Sequence, residues 1–142
     1  MKRIGSFQPL FLWASVLALL PSTPRAAPPE TGRPAAVLDA AQARDLIRER
    51  SGDPGFVILD VRTEGEFASG HLEGAILLDF RSDRFQERLS RLDRDRTYLV
   101  YCRTGNRSGS AVRRMEELGF PDVHHMAGGV VGWQEAGFPL AR

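Results

Sequence analysis

The chain has 142 residues, of which 42% are hydrophobic, a size and composition that suit one globular domain and exclude two. The formal net charge is +1 and both signs of charge are spread along the chain, which argues against a nucleic-acid-binding surface. A single cysteine excludes an internal disulfide and a zinc site built from several cysteines.

Residues 1–26 have the layout of an export signal. A short cationic start at residues 2–3 precedes an apolar run over residues 10–20. A run of ~7–15 apolar residues suits a cleaved signal peptide, whereas a membrane-spanning helix needs about 20. We therefore expect cleavage near Ala26 or Ala27 and a periplasmic or secreted protein. The alternative is a protein anchored in the membrane by this segment, uncleaved.

A proline-rich stretch follows the signal. Residues 27–36 lack apolar periodicity and include Pro28, Pro29 and Pro34, which is typical of a flexible linker. We therefore expect one folded domain over residues 37–142.

The domain begins with a helix, a strand and a second helix. Asp39 is a suitable cap for a helix over residues 40–50. The continuous apolar run of residues 56–61 is typical of a strand buried on both faces of a parallel sheet. Thr63 and Glu66 have the spacing of a capping box, so a short helix is predicted directly after that strand.

The middle of the domain repeats this alternation. The apolar residues 75–78 predict a strand. Asp83 is then expected to open an amphipathic helix in which Phe85, Leu89 and Leu92 share one face.

The last part of the domain adds two strands and two helices. Strands are predicted over residues 97–101 and 123–126, and helices over residues 108–118 and 130–135. Because strand and helix alternate throughout, we predict an α/β fold with a mostly parallel sheet and helices on both faces.

The single cysteine, Cys102, follows the strand of residues 97–101, at the end of a strand where open parallel sheets bind ligands. The short turn after it can aim backbone N–H groups at the sulfur, and the next helix adds the positive end of its dipole. Together with Arg103 and Arg107, these groups favour a thiolate, so we predict a lowered pKa and a reactive sulfur. The alternative is a small buried core residue.

Three motifs, taken in order, resemble the rhodanese (thiosulfate sulfurtransferase) family. They are residues 60–75, residues 101–108, and the glycines at 128–129 with Trp133. With the signal segment, the resemblance implies a single-domain exported member that has a rhodanese-like, mostly parallel five-stranded sheet. It also implies an enzyme that takes a sulfane sulfur from an anionic donor, thiosulfate or a persulfide, holds it as a persulfide of Cys102 and passes it to a thiol or cyanide.

Catalysis is therefore assigned to Cys102 and donor binding to the loop and helix start after it. Arg103 is placed to attract an anionic donor. Gly105 and Asn106 tolerate the positive φ that a tight loop demands. The donor-binding residues are Arg103, Thr104, Gly105, Asn106, Arg107 and Ser108.

Four further residues are expected to support this loop: Asp60, Arg62, Glu66 and His71. Asp60 and Arg62 are expected to form a buried ion pair beneath the loop. His71 is expected to hydrogen-bond a loop. Arg107 has two open roles, because arginine suits both the capture of an anion and a structural pair with Asp60 or Glu66.

The remaining histidines and aromatic residues have structural interpretations. His124 and His125 are neighbours on a predicted strand, so their side chains face opposite ways and cannot share a metal. Trp133 and Phe138 are expected to cover the core.

The length of the loop argues against a cysteine phosphatase, whose loop is longer by one residue and usually has a His before the cysteine. Here four residues separate Cys102 from Arg107, and Tyr101 stands in the place of that His. The shorter loop suits a single sulfur atom, and sulfur transfer needs no general base. The other alternative is a rhodanese-like module that binds a persulfide or docks a partner without turning over.

The expected partners are a small anionic sulfur donor and a thiol or cyanide acceptor. Because no second cysteine can resolve a persulfide within the chain, an external thiol or a thiol reductant protein would do so. No cofactor, metal or nucleic acid is expected, and a membrane is contacted only through an uncleaved signal.

Overall fold

The computed structural model describes residues 33–142, so the predicted signal and residues 27–32 of the predicted linker lie outside the described residues. None of the helices within this range is long and apolar enough to cross a membrane. The elements in chain order are β1 (Ala36–Leu38), α1 (Ala40–Glu49), β2 (Phe56–Asp60), α2 (Glu64–Ser69), β3 (Ile76–Leu77), α3 (Phe85–Ser90), β4 (Thr97–Tyr101), α4 (Asn106–Glu117), β5 (Val123–Met126) and α5 (Gly129–Glu135).

The strands form one five-stranded sheet in the order β1-β5-β4-β2-β3. Each pairing within it is parallel, which confirms the predicted α/β fold. β4 occupies the centre and is buried at all of its positions, because it is covered on both faces and paired on both edges. The chain leaves this central strand at Cys102, so the cysteine lies in the middle of the carboxyl edge of the sheet.

Two apolar cores, one on each face of the sheet, hold the layers together. Residues of β4 alternate between them: Tyr98, Val100 and Cys102 enter one core, and Leu99 and Tyr101 enter the other. Helices α3 and α4 cover the first core, and α1 and α5 cover the second. Tyr101 and Cys102, although adjacent, therefore act on opposite sides of the sheet.

Two of the three helix starts for which a cap residue is predicted have the expected cap. Asp39 accepts from the backbone N–H of Gln42 at 2.8 Å, and Thr63 and Glu66 form the predicted capping box of α2. The start of α3 is different: Arg84 is the N-cap and no side chain caps the helix, so the expectation that Asp83 opens it is wrong.

Two differences arise from tertiary contacts. Helix α4 begins at Asn106, two residues before the predicted start, because Gly105 adopts φ +103 and turns the chain directly into the helix. β1 was not predicted from the sequence, since three residues at the edge of a sheet carry no periodic pattern. β1 forms because it pairs with β5, with Val37 opposite His125, and this long-range pairing cannot be read from the sequence.

Candidate active site

The sulfur of Cys102 is enclosed by hydrogen-bond donors of its own loop. Sγ accepts from the backbone N–H of Gly105 at 3.1 Å and from the hydroxyl of Ser108 at 3.3 Å. Cys102 is only 1% exposed and contributes to the core beneath α4. A purely structural cysteine would need no donors, so the polar surroundings distinguish this sulfur from an ordinary core residue.

The pKa of the Cys102 thiol lies below its ordinary value, as predicted. Burial acts in the opposite direction and is the largest single influence, because it disfavours the charged thiolate. Hydrogen bonds from the hydroxyl and backbone of Ser108 and from the backbone of Gly105 and Thr104 together outweigh it. The cause is therefore mainly the hydrogen-bond donors of the loop, whose backbone N–H groups the sequence predicted, rather than the two arginines that were predicted to act with them.

Arg107 forms a structural ion pair with Glu66. Both of its terminal nitrogens donate to the carboxylate, each at 2.8 Å, and this joins the start of α4 to the first turn of α2. The same carboxylate accepts from the backbone N–H of Thr63 at 3.1 Å and from its hydroxyl at 2.9 Å. Of the two roles left open for Arg107, the geometry supports the one that shapes the loop.

This pair makes stability depend on pH. The hydrogen bond from Arg107 is the main reason why the pKa of Glu66 lies far below its ordinary value of 4.5; burial opposes the shift and Thr63 adds to it. Because the folded-state pKa is lowered, the stabilisation is complete above pH 4.5 and is lost as the pH falls below that value. Glu66→Gln is therefore expected to lower the free energy of unfolding by about 1–2 kcal/mol at pH 7.

The measurement is urea unfolding at neutral pH and at several acid pH values, with Glu64→Gln as control, since Glu64 is an exposed acid in the first turn of the same helix. The difference between wild type and Glu66→Gln should shrink on acidification. A difference that stays constant with pH would contradict this assignment.

A second ion pair, between Asp60 and Arg62, is buried at the carboxyl end of β2. Asp60, the last residue of β2, is fully buried and accepts from the guanidinium of Arg62 at 2.7 Å and from the hydroxyl of Tyr101 at 2.7 Å. Arg62 also donates to the carbonyl of Gly70 at 2.7 Å. Burial, and then the charge of Asp60, raise the pKa of Tyr101 well above its usual range, so this hydroxyl stays protonated and donates to the carboxylate.

The other predicted site residues lie around this centre. The ring of His71 stacks on Phe67 at 3.8 Å, and its Nδ1 lies 3.0 Å from the Phe67 carbonyl oxygen. The backbone of His71 forms an antiparallel bridge with Ala141, which ties down the end of the chain. Arg103 is exposed and lines a cavity of about 280 Å³ beside the loop, together with Arg62, Glu66, Val130, Val131 and Gln134. Thr104 and Asn106 are exposed.

The third motif, the glycines at 128–129, holds the loop from the other face. At the start of α5 the N–H of Val130 donates to the carbonyl of Cys102 at 2.9 Å, and that of Val131 donates to the carbonyl of Arg103 at 3.1 Å. Gly129 adopts φ +58, and a Cβ there would overlap both of these carbonyl groups. Trp133, on the same helix, packs edge to face against Phe138 and is buried in the second core.

His125 was missed as a site residue. Its Nε2 lies 2.7 Å from the hydroxyl oxygen of Ser108, which in turn contacts the cysteine sulfur. The sequence showed that His124 and His125 face opposite ways, and His124 indeed pairs with Asp122 at 3.0 Å. What it could not show is the register that sets His125 beside Val100 and thus on the same face as Cys102.

Within residues 33–142, no group of three or more His, Cys, Asp or Glu side chains is arranged to hold a metal ion.

Comparison with known proteins identifies the family. The Rhodanese-like domain family matches residues 42–136. The Sulfurtransferase of Allochromatium vinosum is 32% identical over 97 residues, which are 68% of this chain and 89% of that protein. The Probable adenylyltransferase/sulfurtransferase MoeZ of Mycobacterium tuberculosis is 38% identical over 103 residues, which are 67% of this chain but only 26% of that longer protein.

A solved structure gives the same result for the fold. The rhodanese-related protein from Thermoplasma volcanium superposes with a TM-score of 0.64 at 29% identity, and the match covers 75% of this chain and 97% of that one. The resemblance carried by the three motifs is thereby confirmed: the chain belongs to the Rhodanese-like domain family.

Proposed function

We propose that the protein is a sulfurtransferase that carries a sulfane sulfur on Cys102. The observation that supports this most directly is a single buried sulfur that faces the N–H of Gly105 at 3.1 Å and the hydroxyl of Ser108 at 3.3 Å. Donors fixed in this way stabilise an anion at the sulfur without a proton transfer, and both the thiolate and a persulfide are anions. The relative in Allochromatium vinosum is named a sulfurtransferase.

The proposed sulfur transfer has two steps, loading of Cys102 by the donor and transfer to the acceptor. The Cys102 thiolate attacks the outer sulfur of thiosulfate; a sulfur–sulfur bond forms to Cys102 as the bond to the sulfonate breaks, and sulfite leaves with that electron pair. Cyanide or a thiolate then attacks the outer sulfur of the persulfide. The Cys102 thiolate leaves, which regenerates the enzyme and releases thiocyanate or a new persulfide.

Arg103 is proposed to supply the local charge that attracts the donor. Arg107 is committed to Glu66 through two hydrogen bonds of 2.8 Å, whereas Arg103 is exposed and lines the cavity beside the loop. A cationic side chain next to the cysteine in the chain raises the local concentration of an anionic donor such as thiosulfate. Thr104 and Asn106, the exposed residues between them, are proposed to contact the donor as it approaches the sulfur.

The experiment is a multiple-turnover assay with thiosulfate and cyanide in which thiocyanate is measured, accompanied by mass spectrometry of Cys102 after exposure to the donor alone. We expect thiocyanate well in excess of enzyme and one added sulfur atom on Cys102. Cys102→Ser should lose both signals, while Ser90→Ala, an exposed position on α3, should keep them. Thiocyanate no higher than in Cys102→Ser would overturn the proposal. If Cys102 takes up one sulfur but does not turn over with cyanide or thiols, the protein is a persulfide-binding module instead of a sulfurtransferase.

We further propose that the protein is exported and cleaved near Ala26 or Ala27. This rests on the cationic start and the apolar run of residues 10–20. An intact-mass measurement on protein recovered from the expressing cells, in soluble and membrane fractions, tests it. A full-length mass in the membrane fraction would favour the uncleaved anchor instead. In an oxidising compartment the partner that regenerates Cys102 would be an external thiol or a thiol reductant protein.

A further inference from the structure

The hydroxyl of Ser108 lies among three hydrogen-bond partners. It is fully buried and lies 3.3 Å from the sulfur of Cys102, 3.2 Å from the carbonyl oxygen of Gly105 and 2.7 Å from Nε2 of His125. A serine hydroxyl has one hydrogen, so it can donate to only one of these partners at a time. The partner that receives this hydrogen decides whether the sulfur has its side-chain donor.

The closest of the three partners, His125, controls that choice. If Nε2 lacks a hydrogen, it accepts the hydroxyl hydrogen and draws it away from the sulfur. If Nε2 carries a hydrogen, it donates to the hydroxyl oxygen, and the hydrogen of Ser108 is left for the sulfur anion. A neutral imidazole can do either, because one of its ring nitrogens donates and the other accepts.

We propose that His125 is a positioning residue that directs the hydroxyl of Ser108 onto the sulfur of Cys102 whenever that sulfur is an anion. In the thiolate, the hydrogen bonds run from Nε2 to the Ser108 oxygen and from the Ser108 hydroxyl to the Cys102 sulfur. In the neutral thiol, the chain reverses, with S–H donating to the hydroxyl and the hydroxyl donating to Nε2. The imidazole is neutral in both arrangements, with its hydrogen on Nδ1 beside the thiol and on Nε2 beside the thiolate. When the thiolate forms, the sulfur hydrogen passes to the Ser108 oxygen, the hydroxyl hydrogen passes to Nε2, and the hydrogen of Nδ1 leaves to solvent. This inference concerns the thiolate, which is present without any substrate, and so it does not depend on the proposed function.

The surroundings of His125 suit a neutral ring. Burial lowers its pKa, and hydrogen bonding to the backbone of Gly105 offsets this only in part. The titratable group that faces the ring through Ser108 is Cys102, while Tyr101 of the same strand enters the opposite core. Most charged groups of α4 and β5 contact other residues: Arg107 with Glu66, His124 with Asp122, Arg113 with Ser110, Arg114 over Phe80 and Phe85, and Glu116 with the N–H of Ala35. Glu117, at the end of α4, is exposed.

Removal of the imidazole leaves Ser108 with the carbonyl of Gly105 as a competing acceptor at 3.2 Å. His125→Leu is therefore expected to raise the thiol pKa, with about tenfold less thiolate at a pH below the midpoint. Ser108→Ala should raise it at least as much. The double variant should equal Ser108→Ala alone, because His125 acts only through the hydroxyl. His125→Gln, whose amide can both donate and accept, should restore a titration close to that of the wild type.

The test is the ultraviolet absorbance of the thiolate followed against pH, with Cys102→Ser as blank, which is unambiguous because the sequence has one cysteine. His124→Leu, on the opposite face of β5, is the matched control and should not shift the titration. Circular dichroism verifies that each variant is folded. An unchanged titration in folded His125→Leu, additive effects in the double variant, or failure of His125→Gln to restore the wild-type titration would each overturn the inference.

The titration needs no sulfur donor, so it separates this inference from the proposed function. A shifted titration in a protein that forms no thiocyanate defeats the sulfurtransferase and leaves the role of His125 intact. An unshifted titration in an active enzyme defeats the role of His125 alone.

Discussion

Asp60→Ala is expected to lower the free energy of unfolding by about 3–5 kcal/mol, because it leaves the charge of Arg62 buried without its partner. The carboxylate of Asp60 is fully buried and takes hydrogen bonds from the backbone N–H of Arg62 at 2.9 Å, from its guanidinium at 2.7 Å and from the Tyr101 hydroxyl at 2.7 Å. The side chain of Arg62 is itself only 5% exposed, so water cannot replace the lost acceptor without local opening.

Urea unfolding monitored by circular dichroism measures this loss. The matched control is Asp45→Ala, which breaks an aspartate–arginine pair whose side chains are 57% and 41% exposed. Exposed pairs of this kind contribute at most about 1 kcal/mol, so the control should unfold close to the wild type. If Asp60→Ala is no less stable than Asp45→Ala, Arg62 has found another partner and the buried ion pair does not stabilise the fold.

The elements found from the sequence are those whose signals are local. The central strand β4 is a continuous apolar run, and the caps at Asp39 and Thr63 involve residues three positions apart. β1 and the start of α4 were missed because they depend on contacts between distant segments. Val37 is ordered in a strand by β5, and Gly105 turns early because the loop is packed against the backbone of Ala127. Neither contact can be inferred from the local sequence around Val37 or Gly105.

The same division applies to the site. Cys102 and its loop are contiguous, so the spacing alone located them, and Asp60 and Arg62 are two residues apart. The partner of Arg107 could only be narrowed to two acids, because the choice depends on how α2 docks beside α4. His125 could not be identified as a site residue because its position depends on the register of β5. A shift of one residue in that register would point its side chain to the opposite face of the sheet.

Contacts from three separate elements fix the loop around the sulfur. α2 holds it through Glu66 and Arg107, β5 reaches it through His125 and Ser108, and α5 holds its backbone through Val130. Donors that are held in place before the reaction need no reorganisation when charge develops on sulfur. The burial of Cys102 by itself disfavours a thiolate. Once the donors are in place, burial also strengthens each hydrogen bond to the sulfur, because the site excludes water.

The attachment to α5 leads to the second large prediction, for Gly129→Ala. Gly129 adopts φ +58, and a Cβ at this position would overlap the backbone carbonyls of Arg103 and Cys102. The left-handed backbone strain and the overlap together are expected to lower the free energy of unfolding by about 3–5 kcal/mol. Relief of the overlap must move the cysteine loop or the start of α5 that is hydrogen-bonded to it, so sulfur transfer by the folded fraction should fall by about a hundredfold.

Gly137→Ala is the matched control for this variant. Gly137 lies just beyond the other end of α5 with φ +79, and a Cβ there would meet nothing within 4 Å. Gly137→Ala therefore introduces left-handed backbone strain without an overlap. We expect its free energy of unfolding to fall by about 1–2 kcal/mol and its activity to stay unchanged. Urea unfolding and the thiocyanate assay on both variants separate the two effects. If the two variants lose the same stability and the same activity, the contact between α5 and the loop adjusts at little cost. The positions of the donors around Cys102 would then not depend on that contact.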